Sequence, residues 1–292
     1  MQLHRLRYFV AVARYGSLTR AAERLSLAQP SLSEQIHKLE RELGTPLFDR
    51  LGRGLVLTAA GEAFRLHAER ALYEVEEGRQ RVNDVLGLRR GRVAVGVLPS
   101  VGATLLPSVL AEFGRNHPDV EVRLIEENVS ARFEDMVHAG QLDMATIRFP
   151  RQRQDLDGAL LVREPIVALL PPGHPLAART AIAVAALREE PFVALKSGYG
   201  LRDLMVPIFQ RAGFEPRVVV ETGQLEIARA LVSAGIGVTL LPRMAAGGAP
   251  VQVPVRDPLA VRELGVVWRA ATPLSPAATA FLELLRRAAA AW

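Results

Sequence analysis

The sequence contains no cysteine. This absence excludes disulfide bonds, thiolate metal sites and thiol-based redox sensing together. Whatever the protein senses or binds must therefore be recognised through hydrogen bonds, charge and packing.

Long apolar runs are also missing. No uninterrupted stretch approaches the roughly 20 apolar residues that a membrane-spanning helix requires, and Arg5 already interrupts the first apolar segment. We therefore expect neither an export signal nor a membrane partner, and we expect a cytoplasmic protein.

The common catalytic motifs are absent as well. The chain has no HExxH, no GxSxG and no phosphate-binding loop ending in lysine. The GYG at 198–200 is only a fragment of a dinucleotide fingerprint, because Asp203 replaces the third glycine, and the six histidines lack metal-ligand spacing. We expect no enzymatic activity, no metal and no cofactor.

The composition of the 292 residues, 49% apolar and 23% charged, is typical of a globular protein of two or three domains. Its charge is unevenly placed: residues 1–58 hold nine Lys and Arg against five Asp and Glu, so +4 of the net +5 lies there. A basic N-terminal fifth is typical of a nucleic-acid-binding module.

Apolar spacing predicts three short helices in this basic region. Gly16 and Gly44 are expected to end the first and third, and Pro30 to open the third. A tight turn at 26–28 joins the second helix to the third, as in a helix-turn-helix. The polar face of the third helix would meet base edges in a major groove, or would simply be a solvated surface.

The run from Gly16 to Arg50, followed by Leu57, Thr58 and Gly61, resembles the DNA-binding signature of LysR-type transcriptional regulators. The resemblance implies an all-α winged helix-turn-helix whose recognition helix reads bases while the wing reaches the minor groove. At Glu34, where members often carry arginine or glutamine, an acidic group would either accept from a cytosine amino group or avoid DNA. The predicted DNA-binding residues are Thr19, Arg20, Gln29, Pro30, Ser31, Ser33, Glu34, Lys38, Arg50 and Arg53.

A long linker helix is predicted over 59–89, between a DNA-binding domain at 1–58 and an effector domain at 90–292. Its apolar residues follow a heptad-like spacing, which favours pairing with a second copy and hence a homodimer or tetramer. The alternative is a helix that lies across its own effector domain. The residues of this seam are Phe64, Ala68, Ala71, Val75, Val82 and Val85.

The C-terminal two thirds alternate short β-branched runs with helices, which predicts an α/β domain with largely parallel strands. This part resembles the two-lobed, periplasmic-binding-protein-like effector domain of the same family. The predicted strands are 93–98, 120–126, 142–147, 160–170, 192–195, 218–221, 238–240 and 264–268, and the predicted helices are 100–116, 130–139, 224–234 and 275–290.

Ligands of open α/β sheets lie beyond the carboxyl ends of strands, where helix N-termini present free N–H groups. Polar residues at those positions would suit a carboxylate or another small anion. Ser100, Ser130 and Thr222 would alternatively be ordinary helix caps, Arg148 a solvated charge, and His174 a structural residue. The predicted effector-binding residues are Pro99, Ser100, Asn128, Ser130, Arg148, Ser197, Gly198, Thr222 and Gly223.

Together these patterns predict a sequence-specific DNA-binding transcriptional regulator whose activity a small, anionic effector modulates. Its expected partners are double-stranded operator DNA, a second copy of itself, the effector and RNA polymerase. The rival interpretation is a small-molecule binding protein without DNA affinity, which the second half alone would suggest. The basic winged module and the missing signal peptide favour the regulator.

Overall fold

The computed structural model describes residues 2–51, 54–85, 91–249 and 251–292. The chain divides into two units, Met1–Arg90 with Ala139–Gln141, and Gly91–His138 with Leu142–Trp292. In the part of the chain so described, no helix has both the length and the apolarity needed to cross a membrane.

The first unit contains three short helices, a two-stranded hairpin and one long helix. Gly16 and Gly44 end the first and third helices in the left-handed conformation, which glycine adopts without steric cost. The Ser17 hydroxyl accepts the Arg20 N–H at the start of the second helix, and Pro30 lies in the first turn of the third. The elements are α1 (Leu3–Tyr15), α2 (Leu18–Leu25), α3 (Gln29–Leu43), β1 (Phe48–Leu51), β2 (Gly54–Leu57) and α4 (Ala59–Val85).

Phe9 lies at the centre of the core of this unit and is fully buried. Its ring lies 5.3 Å from that of Phe48 on the hairpin and 5.2 Å from that of Phe64 on α4. The predicted apolar stripes of α2 and α3 face the same core. The first turns of α4 are therefore part of this small domain, and only the later turns extend beyond its core.

The second unit is an α/β domain of nine strands and seven α-helices among its described residues, with 3₁₀ turns at Pro175–Ala178 and Val184–Leu187. The strands are β3 (Arg92–Val97), β4 (Glu121–Glu126), β5 (Met144–Arg148), β6 (Leu156–Leu169), β7 (Pro191–Leu195), β8 (Arg217–Thr222), β9 (Thr239–Pro242), β10 (Gln252–Pro254) and β11 (Val261–Arg269). The helices are α5 (Pro99–Thr104), α6 (Leu106–Asn116), α7 (Ser130–His138), α8 (Gly200–Ala212), α9 (Leu225–Ser233), α10 (Arg243–Ala246) and α11 (Pro276–Ala290).

The sheet of this unit is mixed, which corrects the expectation of largely parallel strands. The seven strands run in the order β10-β6-β11-β5-β3-β4, with β9 also paired to β6. Only β4 and β5 pair with β3 in parallel; β6 and β11 pair antiparallel with each other and with their remaining neighbours. The parallel pair β7–β8 forms a separate small sheet. Strands were predicted at 160–170 and 264–268, where β6 and β11 lie, but the alternation of strands and helices carries no signal for their antiparallel direction.

Two lobes share the crossing strands β6 and β11. The first lobe comprises β3–β5, α5–α7 and α11, and its core includes Phe113 and Phe281 in edge-to-face contact at 5.3 Å. The second lobe comprises β7–β10 and α8–α10, with one apolar cluster beneath α8 and another beneath α9. Strand β6 is long enough to place Leu156 in the first core and Ile166 in the second.

Two helical predictions in the second unit were wrong. The single helix predicted over 100–116 is split into α5 and α6, because Pro107 lacks an N–H and fits only the first turn of a new helix. No helix was predicted over α8, because Pro207 lies in its interior. Packing of Met205 and Ile208 against the second-lobe core stabilises this helix in spite of the proline.

Candidate DNA-binding surface and effector cleft

The N-terminal turns of α3 present a polar surface to solvent. Gln29, Pro30, Ser31 and Glu34 are exposed, and the buried stripe of the helix faces the opposite side. Ser33 and Lys38 are half-buried, and Thr19 and Arg20 on α2 are exposed. This is the arrangement that a recognition helix needs, with a packed back and a free polar edge.

Glu34 is paired on this surface. Its Oε1 lies 2.7 Å from Lys38 Nζ one turn further along the helix. The hydrogen bond and the charge of Lys38 lower the pKa of Glu34, so the side chain is anionic. The pair offsets the negative charge that Glu34 would otherwise present to a phosphate backbone.

Contacts that the sequence did not reveal fix α3 against the rest of the small domain. Arg5 Nε donates to Gln35 Oε1 at 3.1 Å, and Arg5 also pairs with Glu42. Glu40 Oε1 accepts the Leu47 N–H at 2.9 Å and so holds the entry to the hairpin. These side chains lie on α1 and on α3 itself, and each is too far from its partner in the sequence for a local pattern to predict the contact.

The hairpin β1–β2 forms the wing. It is anchored to the end of α1 by the Leu55 N–H, which donates to the Gly16 carbonyl at 2.9 Å. Thr58 caps α4, because its hydroxyl accepts the Gly61 N–H at 3.0 Å and donates to the Pro46 carbonyl at 2.9 Å. Arg50 belongs to β1, and Arg53 lies outside the described residues.

The long helix α4 spans 27 residues, or about 40 Å at 1.5 Å per residue. Phe64, Ala68 and Ala71 of its apolar seam pack in the core of the small domain. Val75 and Val82, seven residues apart on the same seam, are 40% and 58% exposed.

In the second unit, a cleft of about 140 Å³ lies between the two lobes. Polar groups from the ends of β3, β4 and β5 converge on it from the first lobe, and α8 and α9 close it from the second. Its lining residues are Leu98, Pro99, Ser100, Asn128, Val129, Ser130, Ala131, Arg148, Gln152, Tyr199, Gly200, Leu201, Asp203, Leu225 and Arg262.

A buried ion pair lies at the base of this cleft, on the two crossing strands. Arg262 on β11 faces Glu164 on β6 across the sheet, and the guanidinium Nε donates to Glu164 Oε1 at 2.7 Å. Both side chains are almost completely buried. The second carboxylate oxygen accepts the Met244 N–H at 2.6 Å, and Arg262 also donates to the Ser100 hydroxyl at 3.0 Å.

The electrostatics of the cleft favour an anion. Burial lowers the pKa of Arg262, Glu164 opposes that shift, and the positive charge of Arg148 adds to it. The Arg262 charge is thus balanced by its partner, whereas Arg148 at the end of β5 has no ion pair described. Asp203 is exposed on the second-lobe rim. A carboxylate beside Arg148 would relieve the repulsion between the two guanidinium groups.

The lobes contact each other directly at Gly200, the first residue of α8. Its N–H donates to the Asn128 carbonyl at 3.2 Å, and its own carbonyl accepts from Arg148 at 3.3 Å. A Cβ at this position would lie 2.7 Å from the Asn128 carbonyl oxygen. The absence of a side chain at residue 200 is therefore what allows this approach.

A second cavity of about 310 Å³ lies within the second lobe, beneath α8. It is larger than the cleft, but Phe192, Met205 and Phe209 make it mostly apolar. Arg202 on its wall already donates to the Leu195 carbonyl and to Glu221. The smaller cleft, where polar groups converge, is the better candidate for a charged ligand.

Comparison with known families decides what the two units are. Residues 3–62 match the family described as bacterial regulatory helix-turn-helix protein, lysR family, and residues 86–290 match the LysR substrate binding domain. The chain belongs to the LysR family.

Individual relatives match this LysR-family chain over nearly its whole length. It is 34% identical to the transcriptional dual regulator GltC of Bacillus subtilis (strain 168) over 290 residues, 98% of this chain and 96% of that protein. Full-length OxyR from Pseudomonas aeruginosa has a TM-score of 0.77 at 30% identity, with 98% of this chain and 95% of that chain covered. CbnR complexed with its target DNA has a TM-score of 0.70 at 24% identity, covering 99% and 100%, which supports the fold alone.

GltC and CbnR are named as transcriptional regulators, not as enzymes. The LysR-family chain is accordingly a DNA-binding regulator with an effector-binding domain, as its sequence predicted.

The effector residues predicted for this LysR-family domain separate into two groups. Pro99, Ser100, Asn128, Ser130 and Arg148, all from the first lobe, line the cleft. Ser100 accepts from Arg262 and Ser130 accepts the Arg148 N–H at 2.9 Å, so neither hydroxyl acts as a simple helix cap.

The second-lobe residues of that prediction lie elsewhere. Ser197 and Gly198 form an exposed turn. The Thr222 hydroxyl accepts the Gln224 N–H at 3.2 Å in the turn before α9, so it is held locally but is not the N-cap of that helix, which is Gln224. Gly223 is half-buried beside Lys196. None of the four lines the cleft. His174, held to be structural, accepts the Leu176 N–H and contacts Glu190.

Proposed function

We propose that this LysR-family regulator reads an operator with the N-terminal turns of α3 and senses a small carboxylate in the cleft between its lobes. The convergence of Arg148, Ser100 and Ser130 on one cleft supports the effector class most strongly. On the DNA side, the exposed Gln29 and the half-buried Ser33 would read bases and the exposed Arg20 would contact phosphate. Because its target is operator DNA, we place the protein in the cytoplasm.

The base-reading role is tested by comparing Gln29→Ala with Arg20→Ala. Genomic footprinting with purified protein first supplies the operator. Gln29→Ala is expected to lose about 1–3 kcal/mol of discrimination between operator and random DNA. Arg20→Ala should weaken both equally and reduce the salt slope by about one unit. Equal losses on both DNAs for Gln29→Ala would contradict its assignment as a base-reading residue.

The anion-binding role is tested with Arg148→Gln. The variant should lose the rise in melting temperature that small carboxylates are expected to give the wild-type protein, because the Arg148 guanidinium group lines the cleft and has no carboxylate partner among the described residues. Arg151→Gln is the matched control, since Arg151 is exposed three residues away and does not line the cleft. DNA affinity without carboxylate should be unchanged in both. An equal thermal shift in Arg148→Gln and wild type would refute the role.

We also propose that α4 pairs with α4 of a second copy through Val75 and Val82. Two valines exposed at heptad spacing beyond the core of the small domain support this pairing. The double substitution of Val75 and Val82 by glutamate should shift the dimer towards monomer in sedimentation. Val219→Glu, at an exposed position of β8, is the control. Assembly into tetramers and contact with RNA polymerase would follow from this dimer bound at a promoter.

A further inference from the structure

Among the described residues, Asn128 carries a buried side-chain oxygen, Oδ1, that accepts no hydrogen bond. Nearly all buried polar atoms in native proteins are paired, and an exception calls for a specific explanation such as a missing ligand. Asn128 lines the effector cleft, at the point where the chain leaves β4. The unpaired acceptor thus lies where a ligand is expected.

The backbone of Asn128 is held on both sides. Its N–H donates to Glu127 Oε1 at 2.8 Å, and its carbonyl accepts the Gly200 N–H from the opposite lobe. These bonds fix the backbone of Asn128 but not its side chain, so Oδ1 can turn towards a donor in the cleft while the contact between the lobes is kept. A donor brought by the ligand satisfies the atom and leaves that contact intact.

The other polar groups around the cleft are mainly donors. The Ser100 and Ser130 hydroxyls already accept, from Arg262 and from the Arg148 N–H, so their own protons are free to be donated. Arg148 uses one N–H on the Gly200 carbonyl and has others to offer. The first-lobe wall therefore combines a set of donors suited to a carboxylate with one unsatisfied acceptor.

The cleft is small. Its volume of about 140 Å³ corresponds to roughly five water molecules at their share of liquid volume. A ligand that fits without opening the lobes has only a few carbon atoms, so its carboxylate and its donor are separated by few bonds, and adjacent carbons are the shortest arrangement.

We propose that the effector is a short carboxylate with a hydroxyl or ammonium group on the adjacent carbon, and that Asn128 Oδ1 accepts a hydrogen bond from that group. This inference rests on the proposed anion site, in which Arg148 and the two serines hold the carboxylate. Asn128 then distinguishes 2-hydroxy and 2-amino acids from simple acids of the same size.

Calorimetry on the full-length protein tests the proposal with three probes, L-lactate, L-alanine and propionate, which differ only in the group on the second carbon. Wild-type protein should bind lactate or alanine about tenfold more tightly than propionate, the factor expected for one hydrogen bond to a buried acceptor. In Asn128→Leu the affinities for the three probes should agree within about twofold. The same loss of preference is expected in Asn128→Ala. Preference of the wild type for lactate identifies a hydroxyl donor, and preference for alanine identifies an ammonium donor. Asn116→Leu, an exposed first-lobe position outside the cleft, should keep the wild-type preference.

The outcomes distinguish a failure of the role proposed for Asn128 from a failure of the proposed carboxylate site. Equal binding of all three probes by the wild type, with loss of binding in Arg148→Gln, overturns the role of Asn128 and leaves the carboxylate site standing. A preference that persists in both Asn128 variants also overturns it. If no probe binds the wild type, the proposed carboxylate site fails and this inference fails with it.

Discussion

The Gly200→Ala substitution tests whether closure of the lobes depends on the contact between Gly200 and Asn128. The added Cβ would lie 2.7 Å from the Asn128 carbonyl oxygen, whereas ordinary contact begins at 3.4 Å. The two backbones would therefore have to separate by about 0.7 Å, which stretches the 3.2 Å hydrogen bond beyond bonding distance. The Arg148 contact to the Gly200 carbonyl would be weakened by the same movement.

Losing one or both of these bonds costs about 1–3 kcal/mol, so carboxylate binding should weaken roughly 5- to 150-fold in calorimetry. The amide of residue 200 should also exchange its hydrogen faster, because its only described acceptor is Asn128. Gly114→Ala is the control, since a Cβ at that helical position meets no atom within 4 Å. Wild-type affinity together with wild-type exchange in Gly200→Ala would refute the idea that the ligand-bound lobes meet here.

Three further substitutions test other parts of the molecule. Gly61→Ala should destabilise the small domain by about 3 kcal/mol, because the new Cβ would lie 2.1 Å from the Leu47 carbonyl; DNA binding should fall while carboxylate binding, measured by calorimetry, persists. Glu164→Leu should lower the free energy of unfolding in urea by about 3–5 kcal/mol, because it leaves Arg262 charged and buried without its partner. The double variant Glu164→Leu with Arg262→Met should lose less stability. Asp155→Asn should lower the melting temperature near neutral pH but not near pH 2. Burial raises the pKa of Asp155, but the hydrogen bonds from His138 and Arg153 lower it by more, so the pKa in the folded protein is below that in the unfolded chain. Ionised Asp155 therefore stabilises the fold at pH values above the pKa of the unfolded chain. This stabilisation is lost as the pH falls through the pKa of the folded protein.

Local chemistry explains why the small N-terminal domain was predicted well. Gly16, Pro30 and Gly44 each act on the chain within a few residues, as helix ends or in a first turn, and each has the predicted role. The buried positions of α3 follow from helical spacing alone. What could not be predicted is the set of long-range contacts, such as Arg5 with Gln35, that orient the helix.

The effector cleft was half predictable for the same reason. Strand ends and helix starts in the first lobe are adjacent in sequence, so Ser100, Ser130 and Arg148 could be named from the pattern. The second-lobe wall depends on α8, whose interior proline hides its helical signal. Glu164 and Arg262 are separated by 98 residues, and only the antiparallel register of β6 and β11 brings them together. Each also lies next to a second charged residue, Arg163 or Glu263, so the pattern of its own strand does not single it out.

The buried pair explains how a ligand in the cleft would act on both lobes. Arg262 and Glu164 lie on the two strands that the lobes share, and their remaining hydrogen bonds go to Ser100 in the first lobe and to the Met244 N–H in the second. Burial and then, opposed by Glu164, the positive charge of Arg148 lower the pKa of Arg262, so an anion beside Arg148 would offset the repulsion between the two guanidinium groups. Relief of that repulsion would strengthen a network that spans the crossing strands and both lobes. Under the proposed function, a ligand small enough to fit the cleft would therefore stabilise the arrangement of the whole effector domain, which is the property that a ligand-dependent regulator requires.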